Sequence, residues 1–200
     1  MNATTTYCSR TGLGLAMLLW LAALAGCAST PALGTHQYLD EHSGDTLVVV
    51  TQPLQFSRDR TDVAAHAKDF ATLVAAEASN GGKYSDYLLL YRWSTVDPRM
   101  WAPPGPEEGK LRLLAEGRVL EFTPLESVPF DLSRRTELQL PRKAQVVVRA
   151  YVVDAQTLRF LAGSRDPVLR LPQEQLDIPF SLSGDGRPAL TQFVQGLEGR

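Results

Sequence analysis

The sequence predicts a mainly β protein, an antiparallel β-sandwich of about seven or eight strands with a short helix near 154–162 and a C-terminal helix near 188–198. Three observations predict it. Short runs rich in Val, Leu, Tyr and Trp recur between residues 46 and 182. Turn-forming residues, Ser79-Asn80-Gly81-Gly82 and Glu116-Gly117, separate neighbouring runs. Helical spacing of apolar residues is unambiguous only late in the chain.

The N-terminal segment stands apart from that fold. Met1 to Arg10 is polar with one cation, and Thr11 to Leu24 (TGLGLAMLLWLAAL) is uncharged and mostly apolar. At about 14 residues this run is too short to cross a hydrocarbon core as a helix, but it suits the apolar centre of a signal peptide. It ends in Leu24-Ala25-Gly26-Cys27. This tetrapeptide resembles the lipobox of bacterial lipoproteins: a branched apolar residue, two small residues, then cysteine. The resemblance covers only the first ~30 residues. It implies that Leu24, Ala25 and Gly26 are read by the signal peptidase, that cleavage falls before Cys27, and that the Cys27 thiol takes a diacylglyceryl group. Acylation of the new amine, as by palmitate, would follow. Two or three chains, at ~0.8 kcal/mol per buried CH₂, anchor stably where one is marginal. Ala28 is not Asp, which in the sorting pattern of that family implies the outer membrane, with the protein on its periplasmic face. The departure from the pattern is the thin cationic start, Arg10 alone.

Residues 27–44 are expected to be the lipidated N-terminus and a flexible tether, and 45–200 a single globular domain. Thr46 to Thr51 (TLVVVT) is β-branched and predicts a strand, which Pro53 limits to an end or an edge. Ala67 to Ala78 is alanine-rich enough for a helix, yet it leads into the Asn80-Gly81-Gly82 turn. Beyond that turn Tyr84 to Trp93 alternates, with Tyr87, Leu89, Tyr91 and Trp93 on one face, so a hairpin is expected. The proline-rich stretch from Asp97 to Lys110 is an exposed loop. Leu111 to Leu114 and Val119 to Phe122 form a second hairpin. Gln145 to Val153 (QVVVRAYVV) is apolar on both faces and predicts a central strand. Asp154 caps a helix with Leu158 and Leu161 inward, and Gly163 is expected to stop it in a left-handed conformation. Asp166 to Leu171 and Ile178 to Leu182 are further strands. Asp185-Gly186-Arg187-Pro188 starts the last helix, whose Leu190, Phe193, Val194 and Leu197 form one apolar stripe.

Composition excludes several functions. With 44% hydrophobic and 21% charged residues the chain is neither disordered nor fibrous. Removing residues 1–26 takes away Arg10 alone, leaving 19 of the 20 basic residues against 22 acidic ones. A mature charge of −3 with scattered signs gives no footprint for nucleic acid. Arg134-Arg135 and Arg142-Lys143 are better read as a solvated loop or strand edge than as a phosphate site. The two cysteines, Cys8 and Cys27, cannot bridge within the mature domain.

No catalytic set stands out. His36 and His42 lie in the expected tether, and with Asp40 and Glu41 they are better read as a solvated linker than as a metal site. His66 enters the first hairpin alone. There is no G-x-S-x-G elbow, and Ser183-Gly184-Asp185-Gly186 reads as a helix-start turn before it reads as an anion nest. Asp59, Asp62 and Asp69 beside Arg58 and Arg60 suggest surface ion pairs. No cofactor or metal is expected. The expected role is non-enzymatic: binding or assembly with another envelope protein, from a membrane reached through the lipid on Cys27. The alternative is an envelope glycan or peptidoglycan binder, or a hydrolase, with Tyr91, Trp93 or Trp101 as aromatic platforms.

Overall fold

The computed structural model describes residues 34–41, 43–97, 99, 110–129, 131–132, 138, 140–141, 144–173 and 176–199. Residues 1–33 with Cys27, and also His42, Trp101 with the prolines around it, Arg134-Arg135 and Arg142-Lys143, lie outside them. The strands are β1 (Thr35–Leu39), β2 (Thr46–Val50), β3 (Leu54–Asp59), β4 (Lys68–Asn80), β5 (Lys83–Ser94), β6 (Leu111–Ala115), β7 (Arg118–Phe122), β8 (Val147–Val153), β9 (Val168–Gln173) and β10 (Leu176–Gly184). Helix α1 spans Ala155–Gly163 and helix α2 spans Arg187–Glu198. The fold is mainly antiparallel β, a sheet curled into a half-barrel with two helices, as a sandwich-like β class requires.

The β4–β5 hairpin organises everything else. Gly81 and Gly82 both take positive φ (55° and 82°), which makes the tight two-residue turn that the right-handed strand twist prefers. Asn80 then faces Lys83, and the register runs without interruption to Asp69 opposite Ser94. On its other edge β4 is long enough to pair with two strands in succession: β2 against Ala76–Ser79 and β3 against Lys68–Leu73. Thr51-Gln52-Pro53 is the corner between them, because Pro53 has no N–H to continue the ladder. From that corner β2 leads outward to β1, and β3 leads through β10, β9 and β6 to β7. At the far end a Pro124–Tyr151 bridge brings the chain after β7 onto β8, with Leu125 N–H donating to Ala150 O at 2.8 Å.

Strand alternation gives the sheet two different faces. The inner face (Leu54, Phe56, Ala71, Leu73, Leu88, Leu90, Leu111, Leu113, Leu169, Leu171, Phe180) is filled by Leu158 and Leu161 of α1 and by Leu190, Phe193 and Val194 of α2. Each fully buried Leu or Phe stabilises this core by roughly 1.5–3 kcal/mol. The outer face of β2, β4, β5 and β8 carries a second core: Leu47, Val49, Val74, Ala76, Leu89, Tyr91 and Ala150, covered by Leu125, Val128, Leu132, Leu138 and Leu140. β4 and β5 are therefore buried on both faces.

Four expectations are corrected. Residues 35–39 are not tether: they form β1, antiparallel to β2, so the ordered domain starts before Asp45. A strand not anticipated, β3, lies between β4 and β10. β8 is not central in the ladder, since among the described strands β5 is its one neighbour. Its run is apolar because both faces are covered over most of its length, Val148 and Ala150 by the outer core and Tyr151 and Val153 by the inner one, while Val152 stays exposed. Gly163 ends α1 without left-handed geometry; Ser164 in extended conformation (φ −73°, ψ 146°) terminates it and turns its N–H and Oγ to Leu161 O. The Asp154 cap is as expected, accepting from Thr157 N at 2.7 Å. Leu190, Phe193 and Val194 of α2 are buried as their spacing predicts.

The inner core is bounded at one end by an acidic pair, Glu77 facing Asp86 across β4 and β5. Burial, with the Asp154 charge as a smaller cause, raises the Asp86 carboxyl above its ordinary range. Its Oδ1 is enclosed without a hydrogen-bond partner. A carboxyl that is harder to ionise folded than unfolded binds more protons in the folded state. Stability therefore falls as pH rises from the ordinary Asp range through the raised one, and the loss persists at neutral pH. Asp86→Asn is expected to be more stable than the parent at pH 7, by under about 1 kcal/mol after solvent screening. The advantage should vanish near pH 3, and urea midpoints at the two pH values check it.

Candidate functional site

The outer core does not cover the whole outer face. Where Leu138 and Leu140 end, the sheet surface opens into a cleft of about 470 Å³, walled by the Thr51-Gln52-Pro53 corner and by Gly184 and Asp185. Its floor is made of parts of two cross-strand rows: Phe70 and Trp93, facing across β4 and β5, and Gln55 and Thr72, facing across β3 and β4. The Phe70 and Trp93 rings are stacked, with centroids 4.1 Å apart and planes 11° from parallel. Both rings are half-buried.

The cleft is polar at its walls and carries no unbalanced charge among the described lining residues. Thr72 is only 4% exposed, yet it lines the opening, and its hydroxyl has no hydrogen-bond partner among the described residues. The side-chain amides of Gln52 and Gln55 are likewise unengaged there, and both residues are exposed. Asp185 is the ionisable group among the described lining residues, and Arg187 already satisfies it through Nε and Nη2, each at 2.7 Å. Those bonds hold the Asp185 carboxyl below its ordinary range. Arg187 N–H also donates to Asp185 at 3.0 Å, so Ser183-Gly184-Asp185-Gly186 acts as the turn that starts α2. A carboxylate occupies the place an anion would need.

Backbone contact fixes the far wall. A Cβ on Gly186 would come within 2.4 Å of Gln52 O and of Pro53 C and O. Only a residue without a side chain lets α2 begin against the β2–β3 corner. At Gly184 an added Cβ would meet the Gln55 side chain, 2.8 Å from Oε1, so glycine there leaves room for the amide.

Of the residues singled out from sequence, Trp93 is in the cleft. Tyr91 shares its face but is 2% exposed and packs in the outer core, so it offers no contact surface. Trp101, Leu24, Ala25, Gly26 and Cys27 lie outside the described residues. His36 sits on β1 with its ring 4.3 Å from that of Tyr38. No group of three or more metal-binding side chains is assembled among the described residues. Asp69 is not a surface ion-pair partner as expected: it is 4% exposed, between Arg58 and Arg60. Among the described residues no helix is long and apolar enough to cross a membrane. Phe70, Thr72, Gln52 and Gln55 were not singled out from sequence, although the hairpin turn held a signal for the first. Counting outward from Asn80 opposite Lys83 places Phe70 opposite Trp93. Comparison with models of protein families, with curated proteins and with solved structures gives no match.

Proposed function

We propose that this chain is a bacterial envelope lipoprotein, exported, cut before Cys27 and held by lipid in the outer membrane, whose β domain binds another envelope molecule without transforming it. The address and the anchor rest on Leu24-Ala25-Gly26-Cys27 following an uncharged apolar run of signal-peptide length. The observation that carries the binding role is the half-open cleft over Phe70 and Trp93, where a stacked aromatic pair adjoins hydroxyl and amide groups unengaged among the described residues. Preformed concave sites of this size with a few convergent polar groups are where small ligands and protruding groups dock. Binding rather than chemistry is favoured because the lining carboxylate, Asp185, is already committed to Arg187. A catalytic acid or base needs freedom to exchange a proton with its substrate.

The test is capture from detergent-solubilised envelopes by the full chain and by Trp93→Ala. Retention of envelope material is expected to fall at least about tenfold in the variant, the loss of roughly 1.4 kcal/mol that an aromatic contact supplies. Equal retention by both would sink the cleft as the contact surface.

A further inference from the structure

The geometry points to a neutral glycan as what the cleft binds, one sugar ring lying on the Phe70–Trp93 pair and its hydroxyls bonded to Thr72, Gln55 and Gln52. This rests on the reading of the cleft as the binding surface and names the ligand class for it. The class follows from what the lining excludes. An anionic ligand would need a cation, and among the described lining residues there is none; Arg187, beside Asp185, is spent on that carboxylate and on Ser164 O. A cationic ligand would have to displace Arg187 from Asp185, whose bonds to it are short. An apolar ligand would bury the Thr72 hydroxyl without a partner, at about 1–3 kcal/mol, and would leave the amides of Gln52 and Gln55 unused.

What remains is neutral, rich in groups that both donate and accept, and apolar on one face. A sugar ring has that combination: axial C–H bonds make one face apolar, and equatorial hydroxyls ring its edge. Amides and hydroxyls are the matching partners, since each can donate to one sugar hydroxyl and accept from the next. Size favours the same class over a folded protein. A cleft of about 470 Å³ fits a small-ligand site, whereas a stable protein interface spreads over roughly 800 Å² per partner. Thr72 is the most telling group, because a hydroxyl on a residue 4% exposed, lining an opening, is satisfied only by what enters.

The experiment is titration of the purified full chain, in a sugar-free polyoxyethylene detergent, with triacetylchitotriose, cellotetraose and maltotetraose, read by tryptophan fluorescence and calorimetry. At least one is expected to bind saturably. Trp93→Ala and Phe70→Ala should each weaken that binding about tenfold. Thr72→Val, which keeps the side-chain shape, should weaken it severalfold with the melting temperature nearly unchanged. No saturable binding of any of the three, or binding indifferent to all three variants, would overturn the inference. If envelope capture depends on Trp93 while no oligosaccharide binds, the cleft is a binding surface for a protein and the glycan assignment is wrong. If capture is also indifferent to Trp93, the cleft reading fails with it.

Discussion

Asp69→Ala is expected to cost about 3 kcal/mol of unfolding free energy, the lower end of what breaking a buried ion pair costs. For a domain of this size that lowers the melting temperature by roughly 6–12 °C. The reason is a row of polar groups that closes the inner core at the end opposite Glu77 and Asp86. Arg58, Asp69 and Ser94 face one another across β3, β4 and β5. Asp69 Oδ2 accepts from Arg58 Nε and Nη2 at 3.0 and 2.8 Å and from Arg60 Nη1 at 3.2 Å, while Oδ1 accepts from Ser94 Oγ at 2.6 Å. Ser94 Oγ in turn accepts from Val96 N–H at 3.0 Å, fixing the chain as it leaves β5. Without the carboxylate, Arg58 loses both its hydrogen bonds to Asp69 and is left over the Phe180 ring, 5.6 Å away, with a side chain only 20% exposed. Arg60 retains Asp62, which is why the cost stays at the lower end. Asp62→Ala is the control. Its side chain is 65% exposed, so its ion pair is screened and the loss should be far smaller than that of Asp69→Ala. Thermal or urea unfolding of the two variants side by side checks the ranking, and equal losses would contradict it.

The second large effect is expected from Gly186→Ala, at about 2–3 kcal/mol, within the usual range for overpacking a tight contact. Gly186 has φ −90°, which alanine adopts freely, so backbone strain contributes nothing. The cost is steric. The new methyl would sit 2.4 Å from Gln52 O and from Pro53 C and O, and these backbone atoms cannot swing aside. Helix α2 must retreat from the corner, drawing the buried Ala189 and Leu190 away from the inner core. The same shift moves Asp185 relative to Gln52 and Pro53 and reshapes the cleft. The variant should therefore melt roughly 4–12 °C lower and also retain less envelope material in the capture assay. Gly184→Ala separates crowding of backbone from crowding of a movable side chain. There the added carbon meets the Gln55 side chain, so stability should change little while the cleft wall changes.

Local signals in the sequence carried the fold class, and long-range ones were out of reach. The β4–β5 and β6–β7 hairpins were legible because their turns name themselves. Gly81-Gly82 and Glu116-Gly117 adopt the positive φ values that two-residue hairpin loops demand. The α1 cap and the α2 stripe were legible for the same reason, since the information lies within one or two turns of helix. β1 was not. THQYL lacks an apolar alternation, and it is a strand because β2 offers it an edge. β3 has two apolar side chains, Leu54 and Phe56, both inward, and owes its place to β4 and β10 on either side.

The site was half legible. Alternation put Tyr91 and Trp93 on one face, which is correct, but which end of that face stays open depends on where the side chains of Leu132, Leu138 and Leu140 pack against it. That covering leaves Trp93 in the cleft and buries Tyr91. The other wall joins residues 51–55 to residues 184–186, a contact between distant parts of the chain that no local pattern announces.

The claim on which the rest depends is that the mature chain begins at a lipidated Cys27. Mass spectrometry of the N-terminal peptide from protein extracted from membranes tests it most directly. The account predicts a peptide starting at Cys27 that carries a diacylglyceryl group and an added acyl chain, and a Cys27→Ser variant that is neither cut at that bond nor lipidated. An unmodified peptide beginning elsewhere, or a Cys27→Ser protein cut at the same bond and still sedimenting with the membranes, would contradict it.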